Sequence, residues 1–174
     1  MENNNEKRMV TGMFRDRESA ERAYDALEEK GYTKDEINVM MSDDTRKRYF
    51  ADDDDSDLGS KAMEGAGTGS AIGGTVGAVA GIIAAIGTNL VIPGLGLVIA
   101  GPIAAGLAGA GAGGITGGLI GALIGSGIPK EHAEVYEKGI KDGHIIMGVR
   151  PRTDEEAEYI SDDWRNNSGE NIYR

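Results

Sequence analysis

Sixty-five consecutive residues, Gly65 to Pro129, contain no Asp, Glu, Lys or Arg, in a chain of 174 residues of which 27% are charged. The 18 basic and 29 acidic residues all lie in 1–64 and 130–174, so the sequence divides into a polar, an apolar and a second polar block. The apolar block holds 21 of the 28 glycines, and many of them recur at one interval. Gly65, Gly69, Gly73, Gly77 and Gly81 form one row; Gly109, Gly113, Gly117, Gly121 and Gly125 form another, extended backwards by Gly101. Residues four apart share a helix face, so each row is a groove into which a second helix can settle with its backbone close. Flexible linkers lack bulky aliphatics, whereas Ile72, Val76, Val79, Ile83 and Ile86 recur here at helical spacing.

The pattern predicts two antiparallel helices, 63–87 and 98–126, joined by a turn that draws on Asn89, Pro93, Gly94 and Gly96. Glycine inside a helix costs about 1 kcal/mol relative to alanine, so the helices need support. A bilayer supplies it, because unpaired peptide groups in hydrocarbon cost several kcal/mol each, and each helix is long enough for a core of about 30 Å. The expectation is a membrane-spanning glycine-zipper hairpin with both termini cytoplasmic. One alternative is a cytoplasmic assembly, a scaffold or shell in which the glycine-rich helices are buried in a homo-oligomer; a second is a sensor or binding module that the hairpin merely anchors to the membrane. Acidic flanks such as Asp52 to Asp55 fit the positive-inside rule poorly.

In the first polar block, Val10 to Phe14 alternates as a strand, Asp16 suits the N-cap of a helix carrying Ala20, Ala23, Tyr24 and Leu27, and Gly31 stops it. Ile37, Val39 and Met41 mark a second strand. In the last block, Pro129 opens a helix through Ala133, Tyr136 and Ile140, and Gly143 ends it. His144 to Val149 reads as a strand, and Thr153-Asp154-Glu155-Glu156 is a capping box for a helix with Ile160 and Trp164. Neither block has enough elements for a core of its own, so the two are expected to complete each other. The predicted fold is α+β, a small ferredoxin-like split βαβ domain interrupted by the hairpin. Its parts are 1–50 (βαβ), an acidic linker 51–62, the hairpin 63–127, 128–165 (αβα) and a polar tail 166–174.

Several chemistries are disfavoured by composition. A net charge of −11 argues against a nucleic-acid partner, which needs a basic face. There is no cysteine, which excludes disulfides and thiolate chemistry, and there are two histidines, His132 and His144. The first eight residues have no apolar core behind their charges, so no cleavable secretion signal is expected. Asp53, Asp55, Asp57 and Glu64 have the ligand spacing of a calcium loop, but Leu58 occupies the position that requires glycine, so the run reads as an acidic spacer. Gly94-Leu95-Gly96 lacks the strand and later acidic residue of a dinucleotide site. Arg46-Lys47-Arg48 is a short basic run able to touch anionic headgroups. No cofactor and no catalytic residue is expected, and the partners are a second copy of the chain and the lipid bilayer.

Val10-Thr11-Gly12-Met13-Phe14, the helix with Ala20, Ala23 and Leu27, Gly31-Tyr32 before Ile37-Asn38-Val39-Met40, and the run Met41 to Arg46 resemble bacterial general stress proteins of the heat-induced, YflT-like type. Relatives of that type carry a similar glycine-rich segment, then a Gly-Ile-Pro like Gly127 to Pro129 and a Tyr-containing helix. The resemblance implies a cytoplasmic-facing, membrane-associated protein made under heat, osmotic or related stress, with no settled biochemical activity and no functional residues to carry over.

Overall fold

The computed structural model describes residues 9–54, 90–92, 96–104 and 118–174. In chain order these form β1 (Val10–Phe14), α1 (Arg17–Glu29), β2 (Ile37–Ser42), α2 (Asp43–Asp54), β3 (Leu90–Ile92), β4 (Leu97–Ala100), α3 (Gly118–Gly125), α4 (Lys130–Lys141), β5 (Ile145–Val149), α5 (Asp154–Asn166) and β6 (Glu170–Tyr173). The six strands make one sheet in the order β3-β4-β2-β5-β1-β6, and every neighbouring pair is antiparallel. The fold is therefore α+β. β5 lies between β1 and β2, with Val149 opposite both Val10 and Ile37. Neither polar block forms this sheet alone; the strand contributed by the last block fills the gap between the two contributed by the first.

Both faces of the sheet are covered, which explains why β1, β4 and β5 are buried at every residue. Val10, Phe14, Ile37, Val39, Ile145, Met147 and Val149 face α1 and α5, whose Ala20, Ala23, Leu27, Ile160 and Trp164 complete one core. Met9, Met13, Met40 and Ile146 face the other way, against Ala133, Tyr136 and Ile140 of α4 and Leu119 and Leu123 of α3. Burying a side chain of this size contributes about 1.5–3 kcal/mol. Trp164 is fully buried, edge-on to Phe14 with ring centroids 5.6 Å apart. It fits because position 12 is glycine: a Cβ there would stand 2.9 Å from Trp164 Cε3.

Helix ends follow their local chemistry. The Asp16 carboxylate accepts the Ser19 N–H (2.8 Å) and the Thr153 hydroxyl accepts the Glu156 N–H (3.1 Å), as N-caps should. At the other ends, Tyr32 N donates to Leu27 O, Ile128 N to Leu123 O, and His144 N to Gly139 O, each across a left-handed glycine, Gly31, Gly127 or Gly143. α5 ends the same way, with Gly169 N donating to Trp164 O, but Ser168 takes the left-handed place (φ 65°).

Four expectations are corrected. Residues 98–100, assigned to the second helix of the hairpin, belong to the strand β4, so 98–126 is not one continuous helix. Within it, Gly118–Gly125 form the eight-residue helix α3, about 12 Å long against the roughly 30 Å of a hydrocarbon core, and 105–117 lie outside the described residues. Among the described residues, no helix is long and apolar enough to cross a membrane. The acidic linker does not begin at 51, because α2 runs on to Asp54 after Ser42 Oγ accepts the Thr45 N–H (3.0 Å). Finally, the tail 166–174 contains β6, an edge strand on β1. The first hairpin helix, 63–87, lies outside the described residues.

Candidate functional site

The predicted glycine rows are described at three positions. Gly101 belongs to no helix groove: it ends β4 with φ +99°, and a Cβ on it would collide with the carbonyl oxygen of Ile37. Only glycine allows β2 and the end of β4 to approach so closely. Gly121 and Gly125 do lie in a helix, α3, and at both a Cβ would meet nothing within 4 Å. Gly65, Gly69, Gly73, Gly77, Gly81, Gly109, Gly113 and Gly117 lie outside the described residues. Of the predicted turn residues, Asn89, Pro93 and Gly94 also lie outside them. Gly96 is a turn residue with φ +57°, between strands rather than helices, and its carbonyl accepts the Asp43 N–H at 2.7 Å.

Asn38 is what joins this glycine-rich block to the sheet. Its side chain is buried on the second face, where Nδ2 donates to Gly148 O (3.2 Å) and Oδ1 accepts the Ile103 N–H (2.8 Å). Residues 102–104 are helical, and Pro102 stands first, so Ile103 carries one of the N–H groups that a helix start leaves unpaired. Asn38 caps that helix start from a different strand. Leu97, Ile99, Ile103 and Ala104 are consequently buried with Met9, Met13 and Met40. Sequence reasoning missed this role, since an asparagine inside an alternating strand looks like a solvated position.

Just before the same end of β2, a polar cluster ties the α1–β2 and β5–α5 loops together. Tyr32 Oη donates to Glu156 Oε2 (2.5 Å), and the same oxygen accepts the Arg152 N–H (2.9 Å). The Arg152 guanidinium lies over the Tyr32 ring, 4.3 Å from its centroid, and donates to Gly31 O (2.9 Å). The hydrogen bond from Tyr32 and that from the Arg152 backbone hold the Glu156 carboxyl below the usual carboxylate range. Burial, then the bond to Glu156, pushes the Tyr32 hydroxyl up to about 12. A separate cleft of about 310 Å³ opens between Val10, Pro151, Ala157, the acidic Asp154, Glu155 and Glu158, and Arg174.

The histidines serve structural contacts. His132 stacks on Tyr173 of β6 at 4.7 Å between centroids, and His144 Nδ1 lies 3.3 Å from Met13 Sδ. Next to them, the Tyr136 hydroxyl donates to Asn171 O (2.7 Å) and meets Thr11 Oγ1 at 2.8 Å. Burial pushes the Tyr136 hydroxyl up to about 12. Among the described residues, no three His, Cys, Asp or Glu side chains are grouped to hold a metal ion. Asp53, the first residue of the calcium-like run, is helical within α2; Asp55, Asp57 and Glu64 lie outside the described residues. In the basic run, Arg46 and Lys47 both pair with Asp43, at 3.1 and 2.6 Å.

No family model matches the chain, and neither a curated protein nor a solved structure does.

Proposed function

We propose that this is a non-enzymatic, stress-associated protein whose activity is self-assembly, in which a ferredoxin-like α+β domain presents a glycine-zipper segment. The strand arrangement β2-β5-β1-β6, with α1 joining β1 to β2 and α5 joining β5 to β6, supports the ferredoxin-like assignment. The stress association rests on the resemblance of 10–46 and 127–139 to the YflT-like proteins.

One observation carries the assembly reading: the described parts of the uncharged block are built into the domain. Leu97, Ile99 and Ile103 on one side of the gap, and Leu119 and Leu123 on the other, are buried against the sheet's second face. The segments that carry Gly65 to Gly81 and Gly109 to Gly117 adjoin these docked residues in sequence, and rows of this kind favour close helix packing. This favours a protein assembly, with the charged helices α1 and α5 turned to water, over a hairpin that stands apart from its domain. The bilayer-bound alternative retains the support of the uncharged run itself.

Sedimentation of the full chain tests the proposal. Wild type is expected as a large species, and Gly73→Leu with Gly117→Leu is expected to reduce it to small species with an unchanged circular dichroism spectrum. An unchanged large species would remove the glycine rows from the interface. Recovery in an alkaline-washed membrane pellet would favour the bilayer-bound form.

A further inference from the structure

Among the described residues, three large apolar side chains remain well exposed: Ile124 on α3, Val135 on α4 and Tyr159 on α5. Two of the three lie on the α3–α4 side of the sheet. The α1–α5 side is strongly acidic, with Glu18, Asp25, Glu29, Glu155, Glu158 and Asp162 all exposed, so copies of the chain repel one another there. The carboxyls of Asp25 and Asp163 are raised from their ordinary value by burial first and by neighbouring carboxylates second.

The outward stripe of α4 differs. Ala133, Tyr136 and Ile140 point to the core, which turns Glu131, Val135 and Lys138, spaced i, i+4 and i+7, directly away from it. All three are exposed. Lys130 pairs with Glu134 (3.6 Å) and Lys141 with Glu137 (3.3 Å), along the helix. Among the described residues, Glu131 and Lys138 have no ion-pair partner. The stripe thus has an unpaired acid at one end, an unpaired base at the other and an apolar side chain between them.

Such a stripe is complementary to itself when reversed. We infer that the exposed face of α4 is a docking surface for a second copy of the chain, two α4 helices packing antiparallel about a two-fold axis near Val135. Glu131 then meets Lys138 of the second copy, and Lys138 meets Glu131 of the second copy, about 10 Å apart along the axis at seven residues of separation. A two-fold axis makes each contact twice, and the contact is closed, so it yields a dimer rather than a chain of copies. The inference rests on the self-assembly reading but not on the glycine rows: it supplies a second, salt-sensitive contact.

Sedimentation velocity of the full chain over a concentration series, at low and high salt, tests it. Glu131→Lys alone, Lys138→Glu alone and Val135→Asp are each expected to weaken dimerisation about tenfold, since each reversal turns two attractions into repulsions. The charge-swapped Glu131→Lys/Lys138→Glu chain is expected to recover wild-type dimerisation. All three positions of substitution are solvent-facing, and circular dichroism checks that the variants fold. Because the chain has no cysteine, Val135→Cys should cross-link with a short bismaleimide and Tyr159→Cys should not. A swapped chain as weak as the single reversals, equal cross-linking at both cysteines, or dimerisation indifferent to Val135→Asp would overturn the inference. If α4 variants leave association intact while Gly73→Leu/Gly117→Leu abolishes it, the α4 surface is refuted and the glycine-zipper reading stands; the converse refutes the glycine rows alone.

Discussion

Tyr32 and Glu156, 124 residues apart, meet through a 2.5 Å hydrogen bond from the phenol to the carboxylate. The bond clamps the end of α1 to the first turn of α5, and it runs through the side chain that a capping box would direct to its own N-cap. Glu156 Oε2 instead takes the N–H of Arg152, one residue earlier, and so fixes the β5–α5 loop as well.

The clamp makes stability depend on pH at both extremes. The Glu156 carboxyl is held low when folded, so its contribution is present above the ordinary carboxyl pKa of about 4.3 and lost as pH falls below it. The Tyr32 hydroxyl is raised from about 10 to about 12, so its contribution is present below about pH 10 and lost as pH rises towards 12. Tyr32→Phe is expected to lower stability by about 1 kcal/mol at neutral pH and to flatten the acid limb. Thermal melts from pH 3 to 7 check this; parallel wild-type and variant curves would contradict it.

Two glycines of one sequence row should respond in opposite directions. Gly101→Ala places a Cβ against the Ile37 carbonyl at a left-handed φ, and is expected to cost about 3 kcal/mol or more. Gly121→Ala fills open space on a helix, and is expected to be neutral or to stabilise by up to about 1 kcal/mol. Urea midpoints of the two variants measure the difference.

Asn38→Leu removes the partners of the Ile103 N–H and the Gly148 carbonyl, both on the buried face. The expected loss is about 1–3 kcal/mol, chiefly from the Ile103 N–H left without its partner, since Gly148 lies in a strand paired on both sides. Hydrogen exchange should show the largest increase at β4 and residues 102–104. Uniform acceleration across the sheet would mean that Asn38 supports the core in general rather than the docked segment.

Tyr136→Phe severs the tie from α4 to the Asn171 carbonyl. β6 is an edge strand whose register slips between Thr11 and Met13 and whose Asn171 has a left-handed φ of 48°, so it depends on such ties. The variant is expected to lose about 1 kcal/mol and to expose the β6 amides to exchange ahead of the rest of the sheet. Protection of β6 at wild-type levels would reassign its anchoring to His132 and Arg15, which stack on Tyr173 and pair with Glu170.

Where one period dominates a segment, sequence and structure agree. The alternation in Val10 to Phe14 and the i, i+3, i+4, i+7 pattern through Ala20 and Leu27 specify β1 and α1, and their caps sit at Asp16 and Gly31. Where two periods compete, the reading goes astray. Leu90-Val91-Ile92 and Leu97-Val98-Ile99 are matching β-branched runs around Pro93-Gly94-Leu95-Gly96, a hairpin signal overshadowed by the four-residue recurrence of glycine. β6 offers little signal because an edge strand needs few apolar residues, and α2 has no apolar stripe at all. The polar cluster and Asn38 depend on residues more than sixty positions apart, which no local pattern encodes.

The position of β5 bears on how the chain reaches its native state during synthesis. β1 and β2 are not neighbours in the sheet; the strand that lies between them leaves the ribosome more than a hundred residues after both. Closing contacts across such spans is entropically slow, so the nascent N-terminal half and the uncharged block after it emerge before the strand that will cover them exists. The decisive step of folding therefore waits for β5, and a chaperone able to hold a glycine-rich apolar segment in the interval would raise the yield.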